Sequence, residues 1–247
     1  MSIIQYTMLQ KYEFYINIYS YFCLMKKRII TVSVMCSDLM NLGRDIEILE
    51  ENGADWLHID VMDAHFVPNL TFGTDAIKSI QAKATIPVDI HLMVTDPDLI
   101  YSHFNLRKGD LLTAHAELDR GYEDFSAKVH GQGGLFGLCL NPETPPESLE
   151  RHLGLFDMVM LMTVHPGFAG GKLVEGAMEK VGVVRKWLDE HGCENVPISV
   201  DGAVSAEMAH YMAGLGADIF VGGTAGIYRK GMDVRDTIPE FRKAIDF

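Results

Sequence analysis

The fold is decided by residues 56–93, which read WLHIDVMDAHFVPNLTFGTDAIKSIQAKATIPVDIHLM. This segment opens on the apolar run Trp56–Ile59 and closes on a second one, Val88–Leu92, with a loop and a stretch of helical period between them. Two short apolar strands separated by a helix are typical of a parallel βαβ unit. The segment therefore predicts one repeat of an α/β fold.

The same alternation continues from Ile29 through the rest of the chain. We predict eight strands, which cover Ile29–Val34, Trp56–Ile59, Val88–Leu92, Leu111–Ala114, Leu135–Leu140, Met158–Met162, Ile198–Val200 and Ile219–Val221. The helical stretches between them include Leu42–Glu51, Leu173–Glu190 and Ala206–Ala213. Eight such units in about 220 residues suit a closed barrel better than an open sheet. The sequence predicts a single (β/α)8 TIM barrel over residues 25–247.

Residues 1–24 precede this repeat and differ from it in composition. They are rich in Ile, Tyr and Phe, and the basic cluster Lys26-Lys27-Arg28 comes after them, which is the wrong order for a signal peptide. Lys11 and Glu13 also interrupt any membrane span. We predict an extra N-terminal segment, which is either a helix, a tail, or the product of a start site assigned before the true one at Met25.

Composition and charge restrict the classes of partner. The formal net charge is −13, whereas nucleic acids and anionic membranes require clustered Lys and Arg. A small anionic substrate stays compatible with this charge, because backbone N–H groups and a metal ion can hold a phosphate. The four cysteines are far apart and form no CxxC pair, which predicts reduced thiols in a cytoplasmic protein.

Polar side chains are placed at the ends of the second and third strands. Because alternate side chains of a strand share a face, two sets of three point the same way, namely His58, Asp60 and Met62, and Asp89, His91 and Met93. If both faces point into the barrel, two imidazoles and at least one carboxylate meet at its mouth. Such ligands suit Zn²⁺, Fe²⁺ or Mn²⁺. The alternative is a set of hydrogen-bonded polar residues without a metal.

Three later strands also end in polar residues. Asp201 closes the seventh strand, where it can be a metal ligand, a general base, or the N-cap of the following helix. His115 and Glu117 close the fourth strand and Asn141 closes the fifth. We interpret these three as groups on the substrate side or behind the metal ligands.

Two glycine-rich loops follow the sixth and eighth strands, at His165–Gly171 and Gly222–Gly226. Their glycines permit close approach to a ligand and hinge motion, and the last loops of such barrels often bind phosphate. Tight turns are the simpler interpretation of either loop. Methionines at three strand ends, Met62, Met93 and Met162, either fill the core or form an apolar wall around a reactive carbon.

From about Ile29 to Tyr228 the chain resembles the ribulose-phosphate 3-epimerase family. The matching stretches are SVMCSD (33–38), HIDVMDAHFVPNLTFG (58–73), DIHLMV (89–94), AHAE (114–117), LNPETP (140–145), MTVHPGFAGG (162–171) and VDGAV (200–204). The resemblance implies a soluble homo-oligomer, a dimer or larger, that epimerises a phosphorylated ketose at C3. The reaction so implied interconverts D-ribulose 5-phosphate and D-xylulose 5-phosphate through a metal-stabilised enediolate.

The resemblance also implies roles for individual residues. One divalent ion (Zn²⁺, Fe²⁺, Mn²⁺ or Co²⁺) would be bound by His58, Asp60, His91 and Asp201. Asp60 and Asp201 would be the two acid/base groups on opposite faces of the substrate. The implied substrate contacts are Ser33, the methionine wall (Met62, Met93, Met162), a lid (Gly167, Phe168, Ala169, Gly170) and a phosphate site (Gly202, Gly223, Thr224).

The chain departs from the family pattern at several glycines. Ala64, Ala169 and Ala203 stand where the family usually has glycine, and Thr224 stands where it often has serine. Some departures look closer to the allulose-6-phosphate 3-epimerase branch, so a ketohexose phosphate is an alternative substrate. A non-catalytic sugar-phosphate binder is a second alternative. A metal-dependent barrel hydrolase is a poorer one, because it would need more histidines at the later strand ends.

Overall fold

The apolar runs form a closed parallel barrel in the computed structural model, which describes residues 27–247. Its strands are β1 (Ile29–Ser33), β2 (Trp56–Met62), β3 (Val88–Met93), β4 (Leu111–His115), β5 (Leu135–Leu140), β6 (Met158–Met162), β7 (Ile198–Asp201) and β8 (Ile219–Gly222). Each strand pairs with the next along the chain, and β8 pairs with β1. The predicted (β/α)8 barrel is confirmed. The predicted extra segment at residues 1–24 lies outside the described residues.

Helices connect the strands on the outside of the barrel. They are α1 (Leu42–Glu51), α2 (Thr74–Lys83), α3 (Pro97–Tyr101), α4 (Glu123–Gly131), α5 (Lys180–Glu190), α6 (Ala206–Gly214) and α7 (Val234–Ile245). The β5–β6 connection uses a 3₁₀ helix, Pro146–His152, and a short one, Val34–Cys36, follows β1. Among residues 27–247 none of the helices combines the length and the apolarity that crossing a bilayer requires.

The helix predicted at Leu173–Glu190 is wrong in its first part. The helix begins only at Lys180, and residues 173–179 form a loop. Gly176 has a φ of 79°, which is incompatible with a right-handed helix at that residue. The backbone N–H of Val174 donates to the carbonyl of Thr163, which lies outside this segment. The predictions at Leu42–Glu51 and Ala206–Ala213 are confirmed to within one residue.

The barrel has two apolar layers because strand side chains alternate between its faces. Leu57, Ile59 and Val61 of β2 belong to the cluster between sheet and helices. Trp56 belongs to a second cluster, together with Met158 and Ile219. This second cluster fills the interior of the barrel. His58, Asp60 and Met62 continue the inward face of Trp56 toward the carboxyl end of the strand.

Four aspartates repeat at the amino-terminal end of the barrel, each directly before an even-numbered strand. Each carboxylate accepts a hydrogen bond of 2.8–3.0 Å from a backbone N–H at the start of the preceding odd-numbered strand. The pairs are Asp55 with Ile30, Asp110 with Val88, Asp157 with Phe136, and Asp218 with Ile198. The same hydrogen bond, from a backbone N–H of an odd-numbered strand to the aspartate before the next strand, thus recurs four times around the barrel. The sequence analysis did not identify this pattern.

Candidate active site

The register of β2 and β3 brings the predicted metal ligands together. His58 lies opposite Asp89, and Asp60 lies opposite His91. All four point inward at the carboxyl end of the barrel, and Asp201 joins them from the end of β7. Ligand atoms of His58, Asp60, His91 and Asp201 all lie within 4.8 Å of one another. The sequence had predicted this convergence.

The atoms of this cluster leave a site for a cation. The His58 Nε2 atom lies 3.1 Å from Asp60 Oδ1 and 3.9 Å from Asp201 Oδ2. The His91 Nδ1 atom lies 3.5 Å and 3.8 Å from the same two oxygens. This buried Nδ1 atom makes no hydrogen bond within the described chain. A buried nitrogen aimed at two carboxylates without a hydrogen bond fits a metal ligand.

The charge of the cluster also favours a bound cation. Asp60, Asp89 and Asp201 place three carboxylates around two imidazoles with little or no access to water. Burial alone would lower the pKa of His58, but the carboxylates of Asp60 and Asp89 raise it well above its ordinary value. Burial raises the pKa of Asp201, whereas the two histidines outweigh burial at Asp60 and lower its pKa. Excess buried negative charge of this kind is normally compensated by a metal.

Asp201 is not the N-cap of the helix that follows it. Ser205 occupies that position, and its side chain accepts a hydrogen bond from the backbone N–H of Met208. Asp201 belongs to β7 and has a side-chain exposure of 15%. The capping interpretation is excluded, and the carboxylate is directed into the barrel mouth.

A cavity opens above the cluster. Asp60 and Asp201 line it, whereas His58 and His91 lie fully buried behind them. Every residue predicted to contact substrate also lines it, namely Ser33, Met62, Met93, Met162, Gly167, Phe168, Ala169, Gly170, Gly202, Gly223 and Thr224. The hydroxyl of Ser33 donates to Asp60 Oδ2 at 3.0 Å. The structure adds Met35 and Cys36, from the 3₁₀ turn after β1, to the same lining.

The predicted lid lies over one side of the cavity. Gly167 has a φ of 124°, and the Asn69 side chain donates to its carbonyl at 2.7 Å. This bond joins the lid to the loop after β2. Phe168, at the crest of the lid, is 58% exposed. The Asn69 hydrogen bond to Gly167 holds the lid next to the cavity mouth, so the apolar ring of Phe168 can cover a ligand in the cavity.

The loops after β7 and β8 form the other side of the cavity. A Cβ atom on Gly202 would lie 2.5 Å from Val164, so only glycine fits there. Within residues 27–247, the backbone N–H groups of Gly202, Ala203 and Ala225 donate to no carbonyl. Ala203 has a φ of 49°, an unusual conformation for a residue other than glycine. Free N–H groups at the end of these strands suit a phosphate.

The fourth-strand residues His115 and Glu117 lie behind the cluster and do not line the cavity. The His115 Nε2 atom lies 2.9 Å from His91 Nε2, and its Nδ1 atom lies 2.9 Å from Glu117 Oε2. Burial lowers the pKa of His115 to about 4. Burial would raise the pKa of Glu117, but its hydrogen bonds from His115 and Thr144 lower it to about 2. Of the two positions predicted for these residues, the structure supports the one behind the metal ligands, because neither residue lines the cavity.

Asp63 is a residue of the barrel mouth that the sequence analysis missed. One carboxylate oxygen accepts from the backbone N–H and the hydroxyl of Thr95, both at 2.7 Å. The other accepts from the backbone N–H groups of His65 and Phe66. These bonds outweigh burial and lower the pKa of Asp63 to about 2. Its position directly after a strand end was the available signal, and its partners depend on the fold.

Comparisons with known proteins agree with this geometry. The chain matches the Ribulose-phosphate 3 epimerase family over residues 29–227. It is 37% identical over 210 residues to a ribulose-phosphate 3-epimerase of Bacillus subtilis (strain 168), covering 85% of this chain and 96% of that one. It is 34% identical over 223 residues to the enzyme of that name from Escherichia coli (strain K12), covering 90% and 95%.

Two solved structures share the fold at low sequence identity. Tryptophan synthase of Mycobacterium tuberculosis superposes with a TM-score of 0.62 and 14% identity, over 94% of this chain and 97% of that one. Orotidine 5'-phosphate decarboxylase of Pyrococcus horikoshii OT3 superposes with a TM-score of 0.61 and 13% identity, over 88% and 99%. These likenesses concern the barrel alone.

Proposed function

Because the chain belongs to the ribulose-phosphate 3-epimerase family and is an epimerase, we propose that it interconverts D-ribulose 5-phosphate and D-xylulose 5-phosphate. The observation that carries this proposal is the pair of carboxylates at the mouth of the barrel. Asp60 and Asp201 come from different strands, β2 and β7, and line the same cavity. Inverting a carbon next to a carbonyl needs one group to remove a proton and another to return one on the opposite face.

A divalent ion is part of the proposal. His58, Asp60, His91 and Asp201 would hold it, and their mixed imidazole and carboxylate donors suit Zn²⁺, Fe²⁺, Mn²⁺ or Co²⁺. The bound ion would supply a Lewis acid for the negative charge that develops on the substrate oxygens as the C3 proton leaves.

The two aspartates would perform the proton transfers. Ser33 donates to Asp60 Oδ2 and fixes the rotamer of that carboxylate. Burial raises the pKa of Asp201, whereas the pKa of Asp60 is lowered by its histidine partners against the effect of burial. Environments that separate two carboxyl pKa values in this way favour one acid and one base. The reverse reaction would exchange their roles.

The walls of the cavity would protect the reacting carbon. Met62 and Met93 pack together beside the cluster, and Met162 lies at the end of β6. Thioether side chains carry no exchangeable proton, so they cannot protonate the carbanion in place of the aspartates. The lid at Gly167–Gly170 would exclude water, and the free N–H groups of the β7 and β8 loops would hold the phosphate.

The substrate is tested by steady-state kinetics of the metal-loaded protein on D-ribulose 5-phosphate and D-allulose 6-phosphate. We expect kcat/KM to favour the pentulose, because the relatives described above are named ribulose-phosphate 3-epimerases. A preference for the hexulose would contradict the proposed substrate and retain the reaction class. Binding of both compounds without turnover of either would leave only a sugar-phosphate binder.

The two-base mechanism is tested with Asp60→Asn and Asp201→Asn in D₂O. Each variant should lose about 10²–10⁴-fold in epimerisation. Each should still exchange the C3 proton of one epimer with solvent, and the two variants should select opposite epimers. Metal content is measured alongside, since both residues are proposed ligands. Exchange of the same epimer by both variants would show that a single group serves both faces.

A further inference from the structure

The second ring nitrogen of His91 points away from the proposed metal. Its Nε2 atom lies 2.9 Å from Nε2 of His115, and both rings are fully buried and nearly parallel, with their planes 21° apart and their centroids 5.0 Å apart. Two N–H groups cannot face each other at that distance. One nitrogen must therefore donate and the other accept.

Glu117 decides which nitrogen donates. Its Oε2 atom lies 2.9 Å from His115 Nδ1, and a carboxylate only accepts, so His115 Nδ1 carries a proton. A neutral His115 then presents a lone pair at Nε2, and His91 Nε2–H must donate to it. His91 is left with a lone pair on Nδ1, the buried atom that makes no hydrogen bond and faces Asp60 and Asp201.

Glu117 is itself anchored in one orientation. Its other oxygen, Oε1, accepts from the backbone N–H of Asn141 at 2.7 Å and from the hydroxyl of Thr144. Both donors lie just after β5, so the carboxylate is held by the neighbouring strand end and not by solvent. The tautomer of His58 is fixed by a direct carboxylate contact, because its Nδ1 atom lies 2.7 Å from Asp89 Oδ2. Its Nδ1 therefore carries the proton, and its Nε2 keeps a lone pair.

We propose that Glu117 and His115 are positioning residues that fix the tautomer of His91 and so keep its Nδ1 atom ready to bind the metal. The inference rests on the metal site of the proposed function. Carboxylates and carbonyls behind metal-bound histidines commonly act in this way. The distinctive feature here is that the carboxylate does not contact the metal-binding histidine directly. His115 lies between Glu117 and His91, and its two ring nitrogens transmit the effect of the carboxylate on the position of the His91 proton.

A second metal site is the competing explanation of the same residues. Ligand atoms of His91, His115 and Cys139 also lie within 4.8 Å of one another. The contact of 2.9 Å between the two Nε2 atoms is a hydrogen-bond distance, whereas two nitrogens at about 2.0–2.1 Å from one tetrahedral Zn²⁺ lie farther apart. The geometry therefore favours the proton relay, and the count of bound ions tests it.

The decisive variant is Glu117→Gln, which keeps the shape of the side chain. Its amide oxygen can still accept from Asn141 and Thr144, and its NH₂ group then faces His115 Nδ1 as a donor. His115 must move its proton to Nε2, His91 must accept there, and the proton of His91 moves to Nδ1, where it blocks the metal. We expect Zn²⁺ affinity, measured by competition with a chelator, to fall about 10–100-fold.

Two control variants accompany it. Glu143→Gln changes a glutamate that also contacts a histidine, His165, but at an exposed site. Cys139→Ala removes only the thiol of the competing site. Both should bind one Zn²⁺ per chain with the affinity of the unaltered protein.

The tautomer of His91 is read from ¹⁵N shifts of the metal-free protein labelled at histidine. The unaltered protein should show N–H at Nε2 of His91, and Glu117→Gln should show it at Nδ1. Unchanged affinity in Glu117→Gln, or reduced affinity with an unchanged His91 tautomer, would overturn the proposal. The proposal would also be overturned if the unaltered protein bound two Zn²⁺ per chain and Cys139→Ala bound only one. If the unaltered protein binds no divalent ion, the metal of the proposed function fails, and the tautomer shift still decides the relay.

Discussion

Replacing Asp110 by alanine should destabilise the barrel by about 3–5 kcal/mol, the usual cost of removing one partner from a buried charged network. Asp110 is fully buried at the start of β4. Its carboxylate accepts from the backbone N–H of Val88 at 3.0 Å and from the side-chain amide of Gln81 at 2.9 Å. It also accepts from the backbone and the guanidinium of Arg107.

The magnitude follows from the groups that alanine would leave without an acceptor. Each buried donor left unsatisfied costs about 1–3 kcal/mol. The backbone N–H of Val88 loses its acceptor, and the side-chain amide of Gln81 loses one of two, keeping only the carbonyl of Asn105. Arg107 adds less, because its side chain is 35% exposed and donates to three carbonyls that the substitution does not touch. At about 2–4 °C per kcal/mol for a domain of this size, the midpoint of thermal unfolding should fall by about 6–20 °C.

Urea unfolding measures this loss as a lower midpoint at an unchanged m value. Asp119→Ala is the matched control, because Asp119 is fully exposed and its contact with Arg151 is 3.6 Å long. That variant should stay within about 0.5 kcal/mol of the unaltered protein. Well below its midpoint, Asp110→Ala should keep its kcat/KM, since it lies at the end of the barrel opposite Asp60. A loss of stability below about 1 kcal/mol would refute the conclusion that the hydrogen bonds of Asp110 stabilise the barrel.

Three further predictions concern the mouth of the barrel. Asp63→Asn should lower the free energy of unfolding at pH 7 by about 1–2 kcal/mol, discounted for partial exposure. Because the folded-state pKa of Asp63 is depressed to about 2, its contribution is complete above pH 4 and disappears as the pH falls toward 2, which urea titrations across that range would show. Ala203→Gly should stabilise the protein by about 0.5–1 kcal/mol in thermal unfolding, because relief of about 1–2 kcal/mol of left-handed strain exceeds the added freedom of the unfolded chain; a destabilised variant would contradict the strain. Chelation should abolish turnover, and Zn²⁺, Mn²⁺, Fe²⁺ or Co²⁺ should restore it while Mg²⁺, which prefers oxygen ligands, should not; turnover that survives chelation would exclude an essential metal.

Local sequence patterns were sufficient to predict the barrel and the inward face of its second and third strands. Apolar runs of three to six residues that alternate with helical stretches are compatible with few folds other than a parallel α/β barrel or sheet, and the period of a strand assigns His58 and Asp60 to one face. The failure at Leu173–Glu190 has a local cause, since Gly176 adopts a left-handed conformation inside an otherwise amphipathic stretch. Periodicity alone cannot distinguish such a glycine from one that a helix tolerates.

Partners that depend on register could not be predicted in the same way. Glu117 and His115 are visible in the sequence as polar residues near a strand end. Their relation to His91 requires β4 to lie beside β3 at the observed stagger, which the sequence does not specify. The same holds for Asp63 and Thr95, which come from different loops. Strand ends can thus be identified from sequence, whereas the hydrogen bonds that orient them need the fold.

The two ends of the barrel bury carboxylates in chemically different ways, and this difference supports a metal at only one of them. At the amino-terminal end Asp55 pairs with Arg242, Asp110 with Arg107 and Asp157 with His130, and each also accepts a backbone N–H. At the carboxyl end, within residues 27–247, the ion-pair partners of Asp60, Asp89 and Asp201 are His58 and His91 alone. A carboxylate with an arginine and an N–H partner is neutralised by the protein itself. Three carboxylates facing two imidazoles are not, so the proposed cation would complete the charge balance at the carboxyl end, where Asp60 and Asp201 line the cavity.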